Sequence, residues 1–177
     1  MDIISANRFS AAAIAAGLAG IVCAQLAEPA IAQTPDAACA LPSAPEGIPG
    51  ALDAALSGPA DKDRACMKGL LIPQAHLVFA SAGADGPYRL ETVDEWIVRT
   101  KARGHTMLEE KQLKFRIVRY GGVAHLWSSY VLRSDGKAVG HGVNSIQAIK
   151  QAGGWRITSL MVQAESAAAP LPEGSLP

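Results

Sequence analysis

What most constrains this chain is a run of four β-rich segments separated by three tight-turn signals, all between residues 105 and 165. Residues 111–120 stop at Gly121-Gly122, 123–134 at Asp135-Gly136, and 137–152 at Gly153-Gly154, after which 155–165 closes the set. Gly-Gly and Asp-Gly between β-rich runs signal two-residue hairpins, because both central residues of a type I′ turn need φ > 0. The pattern predicts a four-stranded antiparallel meander.

The N-terminal half has helical spacing instead. Ile48, Leu52 and Leu56 recur on one helix face and stop at Ser57-Gly58. Pro59 suits a helix first turn, so a second helix is predicted over 60–71, ended by Pro73. Ile72-Pro73-Gln74 then reads as a corner before a short strand at 76–80 and another at 88–90. Thr92 with Glu95 three residues on forms a capping-box signature for a third helix that buries Trp96 and Ile97. The expected fold is α+β, with three N-terminal helices packed on a curved, mainly antiparallel sheet and the four long C-terminal strands as a meander.

Arg8, an apolar run over 9–24 and Ala30-Ile31-Ala32 together predict a signal peptide over 1–32, cleaved after Ala32. An uncleaved anchor is the alternative, although the Ala- and Gly-rich run is short for a span of ~20 strongly apolar residues. Val22 before Cys23 does not fit a lipoprotein signal. Residues 33–46 read as an Ala/Pro-rich tether, 47–166 as the domain, and 167–177 as a disordered tail. The expected location is periplasmic or secreted, without stable membrane association. Acidic and basic residues balance at 16 each, and losing the leader shifts the charge only to near +1. That argues against nucleic acid or an anionic membrane surface as the partner, since either would need a basic face. Cys23 leaves with the leader, so Cys39 and Cys66 are expected to pair in an oxidising compartment. Two free thiols are the alternative.

Three motifs carry a resemblance over about residues 46–166: Ala124-His125-Leu126-Trp127-Ser128-Ser129-Tyr130, Gly142-Val143-Asn144-Ser145-Ile146-Gln147, and Gly153-Gly154-Trp155-Arg156-Ile157. With the element order, the chain resembles the nuclear transport factor 2-like superfamily. That is the cystatin-like α+β cone shared with ketosteroid isomerases, scytalone dehydratases and polyketide cyclases. It looks like a branch of exported or small stand-alone members with no common assigned function. Function varies widely on one scaffold. The resemblance implies a pocket under the helices and, in the isomerases, a carboxylate base within it.

If the hairpins have two-residue loops and no bulges, Tyr130 lies opposite His141 and Trp127 opposite Asn144. Alternation then places Leu113, Phe115, Ile117, Leu126, Ser128, Tyr130, His141, Val143, Ser145 and Gln147 on one face. Lys114, Arg116, His125, Trp127, Ser129, Asn144, Ile146 and Met161 fall on the other. The first face belongs under the helices. The expected ligand-binding residues are therefore Ser128, Tyr130, His141, Ser145 and Gln147, with Trp96 and Phe115. Trp127, Ile146, Trp155 and Met161 would make the outer face a homodimer surface, which the resemblance also suggests. A single bulge would exchange the faces locally.

Tyr130 and His141 could form a proton-transfer pair, or a core hydrogen bond that only satisfies buried polar groups. Glu109 and Glu110 are the nearest carboxylates, and as strand neighbours at most one looks inward. His76, His105, His125 and His141 lack metal-ligand spacing, so no metal is expected, and no cofactor. Ser128 lacks a nucleophile elbow. The leading expectation is an exported protein that binds a small, largely apolar ligand without turnover. Alternatives are an isomerase, dehydratase or cyclase using Tyr130 and His141, and a dimeric interaction module with a vestigial pocket.

Overall fold

The computed structural model describes residues 39–80 and 86–175. The expected leader and the first part of the expected tether lie outside them. A short 3-10 turn at Pro45–Gly47 leads into α1 (Ile48–Leu56), followed by the two-residue β1 (Gly58–Pro59), α2 (Ala65–Leu70), β2 (Leu71–Ala80), β3 (Arg89–Glu91) and α3 (Val93–Lys101). The long strands follow as β4 (Met107–Tyr120), β5 (Val123–Ser134), β6 (Lys137–Gln151) and β7 (Gly154–Ala164). They form one seven-stranded sheet in the order β1-β4-β5-β6-β7-β2-β3, antiparallel except for β2 against β7. No helix among the described residues is long and apolar enough to cross a membrane.

The three expected helices are present, but the second is shorter than its prediction. Pro59 lies in β1, where it pairs with Met107, and α2 starts only at Ala65. Arg64 explains the gap. Its guanidinium is buried and donates to the carbonyls of Ala55 (3.0 Å), Leu56 (2.6 Å) and Pro59 (3.0 Å), closing the C-terminal end of α1. The expected corner at Ile72-Pro73-Gln74 is not one: α2 ends at Leu70. Pro73 sits within β2, in the irregular stretch between Leu71 and His76 where pairing to β7 is lost and a missing N–H is tolerated.

The core lies between the helices and the inner sheet face. Ile48 and Leu52 of α1, Met67 of α2 and Trp96 of α3 meet Leu77, Leu126, Ile146, Ile157 and Leu160. Truncating one such fully buried Leu or Ile to Ala costs about 2–5 kcal/mol. Residues ahead of α1 join this packing. The Trp155 amide donates to the Pro42 carbonyl (2.8 Å), and Leu41 packs on the core. Gly154 lets them approach: its φ is +146°, and a Cβ there would stand 2.6 Å from Leu41. After β7, Ser166 and Ala169 form an isolated bridge, and the Ser175 carbonyl accepts a hydrogen bond from Ser129 Oγ.

All three hairpins form, two on the signalled pairs Gly121-Gly122 and Asp135-Gly136 and the third one residue early, on Ala152-Gly153, with Gly154 opening β7; Asp135 (φ 50°) and Gly136 (φ 78°) both occupy the left-handed region. The strands between them are not regular. One extra residue enters β4 between Gln112 and Phe115, and another enters β6 where Leu132 pairs Gly140 but Arg133 pairs Ala138. A third enters β7, where Gln147 pairs Ser159 but Ala148 pairs Ile157. Each bulge reverses which alternate residues face the core.

Cys39 and Cys66 are joined, their Cα atoms 4.8 Å apart, tying the segment ahead of α1 to α2. The bridge closes a loop with a sequence separation of 27. Loop-closure entropy sets its contribution at about 3 kcal/mol. A Cys39→Ser/Cys66→Ser chain should therefore unfold at a lower urea midpoint with an extrapolated stability reduced by about that amount. An unchanged midpoint would show that the bridge contributes nothing.

Candidate functional site

A cavity of about 580 Å³ opens between the helices and the inner face of the sheet. Its floor is apolar, built from Leu56 of α1, Met67 of α2, Leu77 of β2, Trp96 of α3, and Leu160 and Val162 of β7. From the long strands, the polar side chains of Glu110 on β4, Tyr130 on β5 and Asn144 on β6 interrupt that wall. The bulges bring them together. Gln112 pairs Tyr130, and Tyr130 pairs Gly142, so residues 108, 110 and 112 of β4 and 144 and 146 of β6 share the inner face.

The register therefore differs from the bulge-free expectation. His141 pairs Val131, not Tyr130, and points to the outer face, where its Nδ1 stands 3.7 Å from Glu165. Ser145 is also outside, with its Oγ 3.0 Å from His125 Nε2, and Gln147 lies on the same outer side. The proposed Tyr130–His141 pair is thus broken by one extra residue in β6. Phe115 is about half exposed and does not reach the cavity. Ser128 is inward and fully buried, but it does not line the cavity and donates to Gln112 instead. Tyr130 and Trp96 do line the cavity. Of the two carboxylates, Glu110 looks inward, while Glu109 faces out to Arg133 (3.3 Å). On the outer face Trp127 and Met161 are half exposed, whereas Ile146 and Trp155, expected beside them, are in the core.

Glu110 is held by a buried amide network. Gln112 Nε2 (2.9 Å) and Asn144 Nδ2 (3.0 Å) both donate to its Oε1, and Oε2 accepts no hydrogen bond among the described residues. Ser128 Oγ donates to Gln112 Oε1 (2.6 Å), which also lies 3.3 Å from Asn144 Nδ2. Both donors on Glu110 are neutral. Burial outweighs them and, with Asp53 nearby, pushes the carboxyl up to about 7. Burial, then the charge on Glu110, pushes the Tyr130 phenol up to about 12. Its hydroxyl makes no hydrogen bond among the described residues and lies over Gly142, where a Cβ would stand 2.5 Å from it. Among the described residues Asn144 Oδ1 is buried without a partner. Among the described residues no cluster of His, Cys, Asp or Glu could hold a metal.

The sequence left open which of Glu109 and Glu110 faces inward, bulge-free alternation put Asn144 on the outer face, and Gln112 drew no expectation. One signal was present: Glu110 and Gln112 stand two residues apart, on one strand face, at the start of the first β-rich run. Such a polar pair inside a core-facing strand marks a lined cavity.

The raised Glu110 pKa has a consequence for stability. Between about pH 4.5 and 7 the folded chain keeps a proton that the unfolded chain releases, so stability falls as pH rises through that window and levels off above it. Glu110→Gln keeps an acceptor for Asn144 and Gln112 and removes the titration. Its stability relative to wild type should grow between pH 4.5 and pH 8 by up to about 3 kcal/mol, at ~1.4 kcal/mol per pKa unit. Paired urea melts at the two pH values measure this, and parallel curves would contradict it.

Compared by sequence, the chain matches no protein-family model and no curated protein. Its structure is similar to that of a protein from Kribbella flavida, with a TM-score of 0.54 and 14% identity over 68% of this chain and 88% of the other. A cystatin-like-fold protein of Nostoc punctiforme is similar at a TM-score of 0.52 and 11% identity, over 69% and 89% of the two chains. An NTF2-like protein with a cystatin-like fold from Novosphingobium aromaticivorans is similar at 0.50 and 16%, over 70% and 84%. At such identities the likeness carries the fold alone, and the chain has the nuclear transport factor 2-like, cystatin-like α+β fold.

Proposed function

We propose that the protein binds a small, largely apolar carbonyl compound in the cavity and moves a proton on it. The fold suggests a ligand-binding or isomerase-type domain, and an apolar cavity suits either. What favours proton transfer over binding alone is Glu110: a carboxyl in the cavity wall, poised at about 7, with Oε2 accepting no hydrogen bond among the described residues. A general base works best when its pKa lies near the working pH. Glu110 would take a proton from the carbon beside the carbonyl. The Tyr130 hydroxyl, protonated at every working pH, would donate to the oxygen as negative charge develops there. His141 has no part in this reading, because it faces outward.

The Cys39–Cys66 bridge supports an oxidising compartment and hence the exported location proposed from residues 1–32. Half-exposed Trp127 and Met161 support the proposal that copies pair through the outer sheet face.

Hydrogen–deuterium exchange at the α-carbon of cyclohexanone, followed by NMR in heavy water, tests the reaction. The carboxylate is the active form, so the enzyme-dependent rate should rise about tenfold per pH unit below about 6 and level off above about 8. Glu110→Gln and Tyr130→Phe should each lower it about 10²-fold or more. Exchange that ignores both substitutions would leave the cavity a binding site only.

A further inference from the structure

The mouth of the cavity is as charged as its floor is apolar. Arg89 of β3, Arg99 of α3 and Arg103 just beyond α3 all line it. Trp96, Arg99, Thr100 and Arg103 follow helical spacing, so a single edge of α3 and its continuing turn presents ring, hydroxyl and two guanidiniums to the same space. Two of the three arginines are already engaged. Arg99 binds Glu91 through both forks (2.7 and 2.8 Å), Arg89 reaches the same carboxylate (2.7 Å), and both lie against the Phe79 ring at 5.1 and 4.7 Å. The Arg103 side chain has no hydrogen bond or ion pair among the described residues. Among the described residues, one carboxylate against three guanidiniums leaves the mouth with two uncompensated positive charges.

We propose that the cavity's ligand is an apolar molecule ending in an oxyanion, carboxylate or phosphate, with the anion seated at the mouth on Arg103. This rests on the cavity being the ligand site and deepens that reading by naming the ligand class and its orientation. A guanidinium presents paired N–H donors matched to two oxygens of a carboxylate or phosphate, which fits an anion better than a neutral head. The inner end cannot take that anion, because Glu110 is itself an acid and the neighbouring wall is apolar. The head therefore stays at the arginines and the body runs inward past Trp96 towards Glu110 and Tyr130. Arg89 and Arg99, locked by Glu91 and Phe79, fix the rim on which the free guanidinium works.

Calorimetric titration of the full chain with octanoate, octyl phosphate and octanol tests this. At low ionic strength at least one anion should bind tenfold or more tighter than octanol, the tighter of the two naming the headgroup. That advantage should shrink in 0.5 M salt, since the mouth is open to solvent. Arg103→Gln should weaken the anion about tenfold and leave octanol within about twofold, and Arg103→Lys should recover part of the loss. Octanol binding as tightly as both anions, or an anion advantage untouched by Arg103→Gln, would overturn the proposal while leaving the cavity reading intact. Binding of none of the three would overturn both.

Discussion

The site depends on how α1 clamps the edge of β4. Beyond its two-residue pairing with β1, β4 has no strand neighbour on its outer side among the described residues, so its amides need partners from elsewhere. Two side chains of α1 and its cap provide them. Asp53 Oδ1 accepts from the Gln112 amide (2.8 Å), and Ser57 Oγ accepts from the Glu110 amide (3.2 Å). Lys111 anchors Asp53 from the other oxygen (3.0 Å), while burial pushes that carboxyl's pKa up. The extra residue of β4 follows directly, and there Ser129 Oγ accepts from the Lys114 amide (3.2 Å). The strand is thus held through its own irregularity, and Glu110 is aimed inward by side chains that never touch the cavity.

A carboxyl at that depth costs free energy, and the surrounding amides offset only part of it. Gln112 and Asn144 each spend a donor on Oε1, and Ser128 fixes the Gln112 carbonyl so that its NH₂ must point at Glu110. With neutral donors only, a proton binds easily and leaves easily near pH 7. Had a guanidinium filled the same place, Glu110 would be a permanent anion, as Glu91 is between Arg99 and Arg89, where the pKa is lowered. The cavity therefore sorts its charges, with fixed arginines at the mouth and one labile carboxyl inside.

Turns and caps were legible in the sequence because they are local. Asp135-Gly136 needs φ > 0 at both positions, and Thr92 and Glu95 form the full capping box that their spacing announced. The core positions Ile48, Leu52 and Leu56 followed from helical periodicity, and the cavity positions Trp96 and Tyr130 from the capping box and from alternation along the hairpins. The bulges were not legible, because an extra residue leaves no local signature when its flanks still alternate. One such residue in β6 sent His141, Ser145 and Gln147 outward and brought Asn144 and Ile146 in. Another in β4 did the same for Leu113 and Gln112. The hairpin turn sets register only until the first bulge, so side-chain face decays with distance from the turn. Trp155 escaped for a different reason: it is covered by Leu41 and Pro42, from a stretch whose composition looked like a tether.

The central claim is that Glu110 exchanges its proton near neutrality. Carbon-13 NMR of the full chain labelled at the glutamate carboxyl carbons follows each side chain separately through a pH titration. The account expects one resonance, absent from Glu110→Gln, to titrate with a midpoint of about 7. A Glu110 midpoint in the ordinary range of about 4–5 would show a solvated or ion-paired carboxylate, and the proton-transfer reading would fall with it.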